Sequence, residues 1–479
     1  MNDRLNLNAE EARRLGRAAA DLMAEYYAGM AGRGIMPETS SRAIRELLEE
    51  PLPEEGTDPE TVLATVRDAI LPLSRHNGHP RFFGYVASPG TAVTAVADML
   101  ASALNTNVTS WRSAPAPTEI EHIAVNWLKQ MLGYPADAMG LFVSGGSMAN
   151  LAALAAARAA KAGADVARYG MQAAGRAMRV YVSEEGHFSI GKAAALLGIG
   201  EENVQSVRTD ERFRIDTADL ERRIEEDRAR GYLPFCVVAN AGAVATGAFD
   251  PLEEVGAIAR RHGLWFHVDG AYGGFAALAP SARHFFRGIE EADSVTLDPH
   301  KWLYGAIGCG SVLYRDPETA RRAFAQRADY INTVGLEHDE AFVFWDYGPE
   351  LSRRFRALGV WMQIKSAGTR ALGAAIERNI ACAKYFEGLV LSSEDFEMLA
   401  PVELSIFCFR YRPRGYQGDL DRLNERILVE LHRHGGSYVS NARPRGRFAL
   451  RGCVLNYRTT ERDMATLLDD VRRAARAAA

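Results

Sequence analysis

Between residues 140 and 314 the chain repeats one pattern that restricts its fold severely. Short apolar runs, at 141–143, 179–182, 235–239, 264–268, 294–297 and 310–313, alternate with longer amphipathic stretches. Each run is too short for a helix that must bury a stripe, and most are apolar at consecutive positions. That combination predicts strands buried on both faces, joined by helices: an α/β fold around a mostly parallel sheet. Outside this region the pattern changes. Ala9, Ala12, Leu15, Ala19, Leu22 and Met23 recur at helical spacing, predicting an amphipathic helix over 9–32. A Pro/Glu-rich connection at 49–56 precedes another helix at 61–71, and a long helical stretch over 350–365 closes the α/β region. Beyond it, strands at 404–410 and 448–455 lie among helices, as in a small α+β unit. The organisation expected is an N-terminal helical segment (1–90), a large domain (91–365) and a small C-terminal domain (366–479).

Composition narrows the function classes. In 479 residues, 47% hydrophobic and 24% charged content is that of a globular chain with a large core. A net charge of −5, with basic residues interspersed among acids, offers no footprint for nucleic acid or an anionic membrane. No apolar run reaches the roughly 18 residues of a membrane span, and the first ten residues lack the apolar stretch of a signal peptide. Five scattered cysteines without a Cys-x-x-Cys pair suggest neither zinc nor disulfides and suit reduced thiols in the cytoplasm.

Four segments at predicted strand ends carry chemistry. Gly145, Gly146 and Ser147 enter an alanine-rich helix, where bare backbone N–H groups and the helix dipole favour a phosphate. His187, in Glu184-Glu185-Gly186-His187, is placed to stack on a flat ring. Asp269 follows the run 264–268 and opens a turn of small residues, Gly270 to Gly274. Lys301 follows the run 294–297 in Asp298-Pro299-His300-Lys301-Trp302. Taken singly, each has a plainer reading: a turn, a loop histidine, a helix cap, a surface lysine. Together they describe a pyridoxal 5'-phosphate site. The lysine supplies the amine for the Schiff base, and the acid keeps the pyridine nitrogen protonated, so that the ring draws electrons from the substrate.

This order, with His267-Val268-Asp269-Gly270-Ala271-Tyr272 and Asp298-Pro299-His300-Lys301-Trp302, resembles the group II pyridoxal-phosphate-dependent amino-acid decarboxylases. The likeness includes Gly78-His79-Pro80-Arg81-Phe82-Phe83-Gly84-Tyr85, Trp111 with Ala114 to Glu119, and Leu351-Ser352-Arg353-Arg354-Phe355. It implies fold-type I, with a seven-stranded mixed sheet, and a homodimer whose active sites lie at the subunit interface and whose N-terminal segments pack on the partner. It further implies roles for particular residues. Lys301 is the Schiff-base lysine, Asp269 the ring-nitrogen partner and His187 the stacking group. Ala271 lies on the ring's other face, and Gly145, Gly146, Ser147, Asp298 and His300 lie about the phosphate. Tyr330 is the loop tyrosine that returns a proton after CO₂ leaves, and with His187 it favours simple decarboxylation over aldehyde formation.

The chain departs from these relatives in places. Asp298 stands where many have asparagine, which sets an acid beside a phosphate and requires it to be bonded to donors or turned away. Gly242-Ala243-Val244 replaces a Gly-Thr-Thr segment. For the substrate side chain the expected wall is Tyr85, Val86, Ser88, Thr109, Trp111 and Ser352, which suits an aromatic ring. Ser352, in place of a glycine, is expected to favour phenylalanine, tyrosine or dopa over tryptophan. The alternatives are an acidic amino acid gripped by Arg451, or an aldehyde synthase.

Overall fold

The computed structural model describes residues 5–325 and 341–478. Its centre is a seven-stranded sheet made of β1 (Met139–Val143), β2 (Met178–Ser183), β3 (Val204–Val207), β4 (Leu233–Asn240), β5 (Trp265–Gly270), β6 (Ser294–Leu297) and β7 (Gly310–Tyr314). The spatial order is β1-β7-β6-β5-β4-β2-β3. Only β7 runs against its neighbours, β1 and β6, and the other pairs are parallel. Helices connect the strands and cover the sheet, so β5, β6 and β7 are buried at every position. A second sheet, entirely antiparallel, has the order β10-β11-β9-β8, from β8 (Phe396–Met398), β9 (Ile406–Tyr411), β10 (Ser440–Ala442) and β11 (Ala449–Cys453). Helices Leu420–His434 and Glu461–Ala478 pack beside it.

Parallel register is what builds the site. β4, β5 and β6 pair Asn240 with Asp269 and Asp269 with Thr296. Their carboxyl ends therefore reach one edge together, the side on which open α/β sheets bind ligands. β7 starts at that edge too, directly under the glycine turn. A Cβ on Gly310 would fall 2.5 Å from the Gly145 carbonyl carbon, so only glycine permits this approach.

Four elements differ from the sequence expectation. β3, β8 and β10 carry no apolar run, because they are short and half-exposed or polar. The expected helix over 350–365 begins instead at Ala357 and continues to Leu391 through a kink at Gly368. Residues 350–356 stay out of it because Arg353 is buried and pinned. Its guanidinium pairs with Glu121 and donates to the carbonyls of Val108 and Phe142, each at 2.8 Å. The N-terminal helices Ala9–Ala28, Ser41–Leu48 and Pro59–Thr65 bury none of their residues in the single chain.

Candidate active site

At the carboxyl edge of β4–β6 lies a cavity of about 800 Å³, within the range of small-molecule sites. Gly145, Gly146 and Ser147 form one wall; His187, Asp269 and Ala271 form another. Asp298, His300 and Lys301 close the floor, and Tyr85 and Val86 stand at the side. The helix Gly146–Lys161 carries no side-chain cap, so its first N–H groups remain available to an anion. A Cβ on Gly146 would lie 2.9 Å from Asp298 Oδ2 and 3.0 Å from the Ala271 methyl, so glycine keeps this cradle open.

Asp269 is held by a buried network centred on Asn150. The Asn150 amide donates to Asp269 Oδ2 at 2.8 Å and to Ser189 Oγ at 2.9 Å. Its oxygen accepts from Thr296 Oγ1 at 2.7 Å and lies 3.0 Å from His267 Nε2. That oxygen can only accept, so His267 carries its proton on Nε2. Burial pushes the His267 pKa down to about 4, which keeps the ring neutral. The other carboxylate oxygen of Asp269 accepts from the Ala271 N–H at 3.1 Å. Asp269 is thereby fixed as an acceptor facing the cavity.

The same network reaches His187. Ser189 Oγ is 2.8 Å from His187 Nδ1, and the Ser189 N–H donates to that nitrogen at 3.2 Å. Nδ1 thus accepts, and the proton of the neutral ring sits on Nε2. Burial holds His187 below its ordinary pKa, opposed in part by Asp269. Across the cavity, Lys301 Nζ is 2.9 Å from Asp298 Oδ2, and His300 Nε2 is 3.6 Å from the same oxygen. His300 donates from Nδ1 to the Cys309 carbonyl at 2.7 Å, which directs Nε2 toward Asp298. The acid singled out beside the phosphate cup is therefore bonded to a donor.

Other expected residues fall elsewhere. Ser88 stands behind the wall and donates to the His300 carbonyl at 2.8 Å. Thr109, Trp111 and Ser352 do not line this cavity. They belong to a separate cluster in which the Trp111 and Val108 N–H groups donate to the carbonyls of Phe342 and Arg353. Tyr330 lies outside the described residues. Conversely, Asn150, Ser189, His267 and Thr296 carried no expected role. A signal for Asn150 was present: a polar residue one helical turn after Gly146, on the same face of an alanine-rich helix.

The residues present fit a phosphorylated pyridine aldehyde: an uncapped helix start, a buried acid fixed by donors, a histidine and a lysine about one cavity. The family described as "Pyridoxal-dependent decarboxylase conserved domain" matches residues 41–412. The chain belongs to that family, and pyridoxal 5'-phosphate is its cofactor. It is 36% identical to an aromatic-L-amino-acid decarboxylase of Bacillus atrophaeus, over 98% of this chain and 96% of that one. Among solved structures it resembles Oryza sativa TDC with PLP and tryptamine, with a TM-score of 0.92, 28% identity, and coverage of 98% of this chain and 99% of that one. Rhodiola rosea 4-hydroxyphenylacetaldehyde synthase is also similar, at a TM-score of 0.89, 28% identity, and coverage of 98% and 99%.

When bound, the cofactor supplies an electron sink for the bonds about a substrate's Cα. The chain supplies the rest. Within one cavity it places a primary amine, Lys301 Nζ, an acid fixed by donors, Asp269, and an imidazole, His187, whose Nδ1 is already bonded.

Proposed function

We propose that this enzyme decarboxylates an aromatic L-amino acid to the amine and CO₂. The observation that carries the reading is the placement of Lys301 and Asp269 in one cavity, with Asp269 locked by Asn150. The substrate class is supported by the relatives and by the apolar and aromatic groups at the cavity mouth: Tyr85, Val86, Phe188, Val244 and Ile307. An acidic side chain is disfavoured. Two arginines stand on the cavity wall: Arg451 spends all three guanidinium nitrogens on the carbonyls of Tyr85, Val244 and Ala245, and Arg443 pairs with Asp421 and Glu425. In this reading Lys301, Asp269, His187 and Tyr330 are catalytic, and Gly145, Gly146, Ser147, Ala271, Asp298 and His300 hold the cofactor. Tyr330, aided by His187, returns a proton to Cα.

The working form in this account is a homodimer. The N-terminal helices bury nothing in one chain, and Leu47, Leu48, Leu52 and Leu104 are exposed. Thr109, Trp111 and Ser352 then complete the partner's cavity, where Ser352 shortens the space for a bicyclic ring. Buried free thiols at all five cysteines suit the cytoplasm, and no described helix is long and apolar enough to cross a membrane. The test is turnover of phenylalanine, tyrosine, dopa and tryptophan, with amine, CO₂, ammonia and peroxide all measured. Amine and CO₂ in equal amounts, with tryptophan the slowest, is expected. Peroxide and ammonia in step with CO₂ would identify an aldehyde synthase instead.

A further inference from the structure

Lys301 sits on a helix of a single turn, Pro299–Trp302, too short to hold its own geometry. Two buried rings that follow the lysine moor it. The Trp302 Nε1–H and the Tyr304 hydroxyl donate to one acceptor, Asn379 Oδ1, at 3.1 and 2.9 Å. Asn379 is buried in the helix Ala357–Leu391, and its amide nitrogen donates to the Asn456 carbonyl at 2.9 Å. Asn456 donates in turn to the carbonyls of Gly78 and His79, each at 3.0 Å. Tyr304 has a φ of +53°, which a bulky residue adopts only where its surroundings hold it. Trp302 also stacks on Tyr272, with ring centres 5.0 Å apart and 22° between the planes. The Tyr272 hydroxyl accepts from the Ser405 N–H at 3.0 Å and lies 2.8 Å from Ser405 Oγ. Asn379, Ser405 and Asn456 all follow the kink at Gly368, so the turn after Lys301 is tied to the C-terminal part of the chain. Asn379, Trp302 and Tyr304 do not line the cavity, so what they do there passes through Lys301.

We propose that Asn379 is the positioning residue for Lys301. By accepting from Trp302 and Tyr304 it fixes the turn after the lysine, and with it the direction from which Nζ meets the cofactor. This rests on the reading of Lys301 as the amine that bonds the cofactor's aldehyde: Nζ forms a C=N bond to the aldehyde carbon, and the aldehyde oxygen leaves as water. Misplacing a reacting group by about 1 Å costs up to about a hundredfold in rate. Loss of Asn379 accordingly slows the chemistry of the amine while the ring and phosphate of the cofactor still bind.

The test mixes apoenzyme with pyridoxal phosphate and, separately, with deoxypyridoxine phosphate, which lacks the aldehyde and reports ring and phosphate binding alone. In Asn379→Leu the imine band is expected to appear about tenfold or more slowly, while affinity for the deoxy analogue changes by less than about threefold. In turnover, kcat is expected to fall about tenfold with KM within about threefold of wild type. Asn424, an equally buried asparagine bonded to Tyr411 and Leu420, is the structural control. Asn424→Leu is expected to lower the urea midpoint and leave the imine rate unchanged. Where Asn379→Leu does not fold, Trp302→Phe combined with Tyr304→Phe removes both donors and keeps an aromatic ring on Tyr272, with the same result expected; circular dichroism reports folding. A folded variant with the wild-type imine rate would overturn the positioning role. Equal loss of both probes, or an Asn424→Leu that slows the imine as much, would overturn it too, since each marks general support of the fold. An imine band that survives Lys301→Ala would overturn the reading of the lysine and the proposal with it.

Discussion

Asn150 uses both hydrogens and both acceptor directions of its amide, and each partner is buried. Replacing it by leucine strands Asp269 Oδ2, His267 Nε2 and Thr296 Oγ1 at once. An unsatisfied buried polar group costs about 1–3 kcal/mol, more where one is charged. Asn150→Leu is therefore expected to lose at least about 3 kcal/mol of stability in urea unfolding of the apoenzyme. It should also weaken cofactor binding, because Asp269 is no longer oriented. Asn150→Asp sets a second carboxylate against Asp269 and is expected to be worse in both measurements. A leucine variant as stable as wild type would show that the network does not position the acid.

At the scale of elements, the close approach of β7 to the glycine turn is the vulnerable joint. A methyl at position 310 would lie 2.5 Å from the Gly145 carbonyl carbon and 2.7 Å from Asp298 Oδ1. Gly310→Ala must push the turn and the strand apart. About 1–3 kcal/mol of destabilisation is expected, with cofactor retention lost more steeply than stability, as dialysis followed by absorbance would show. Much of this level could be read from the sequence. The six apolar runs became β1, β2, β4, β5, β6 and β7, because strands buried on both faces leave a predominantly apolar signature. β3, with Gln205 and Ser206 at its centre, leaves none. The true start of helix Ala357–Leu391 was hidden as well, since it depends on a buried pairing of Arg353 with Glu121 across distant sequence. Asp269, Lys301 and the glycine cup could be found from their positions after strands. Asn150 and Ser189 act on other side chains rather than opening a strand-end turn, so strand-end logic passes over them.

For the whole molecule, burial sets the pH response. His79 and His267 are pushed down to about 4, and His76, His187 and His432 are also lowered, each chiefly by burial. Unfolded histidines bind protons near pH 6.5, so the unfolded state takes up more protons as pH falls below that value. The histidine contribution is full above about pH 6.5 and is lost as pH drops toward 4. Buried Asp250, raised to about 6, acts with opposite sign, as do Glu185, Asp293 and Asp346, which are also raised. Their contribution fades as pH rises through the folded values. The histidines dominate between about pH 5 and pH 6.5, so stability should rise with pH there by about 1 kcal/mol per unit or more. Urea midpoints across the window measure it, and a falling midpoint would contradict the sign. The homodimer makes a separate prediction. Removing residues 1–50 exposes the faces that the helices Ala9–Ala28 and Ser41–Leu48 would cover. Light scattering should then show monomer, with turnover lost although the sheet remains folded.

The central claim is that Lys301 anchors a decarboxylating pyridoxal-phosphate site for aromatic amino acids. The most direct measurement is CO₂ release by wild type and Lys301→Ala across the twenty amino acids, dopa and 5-hydroxytryptophan, with absorbance of the bound cofactor recorded alongside. CO₂ from aromatic substrates only, matched by amine, is expected, with loss of both CO₂ and the imine band in Lys301→Ala. CO₂ from glutamate or aspartate alone, or an imine band that survives the substitution, would contradict it.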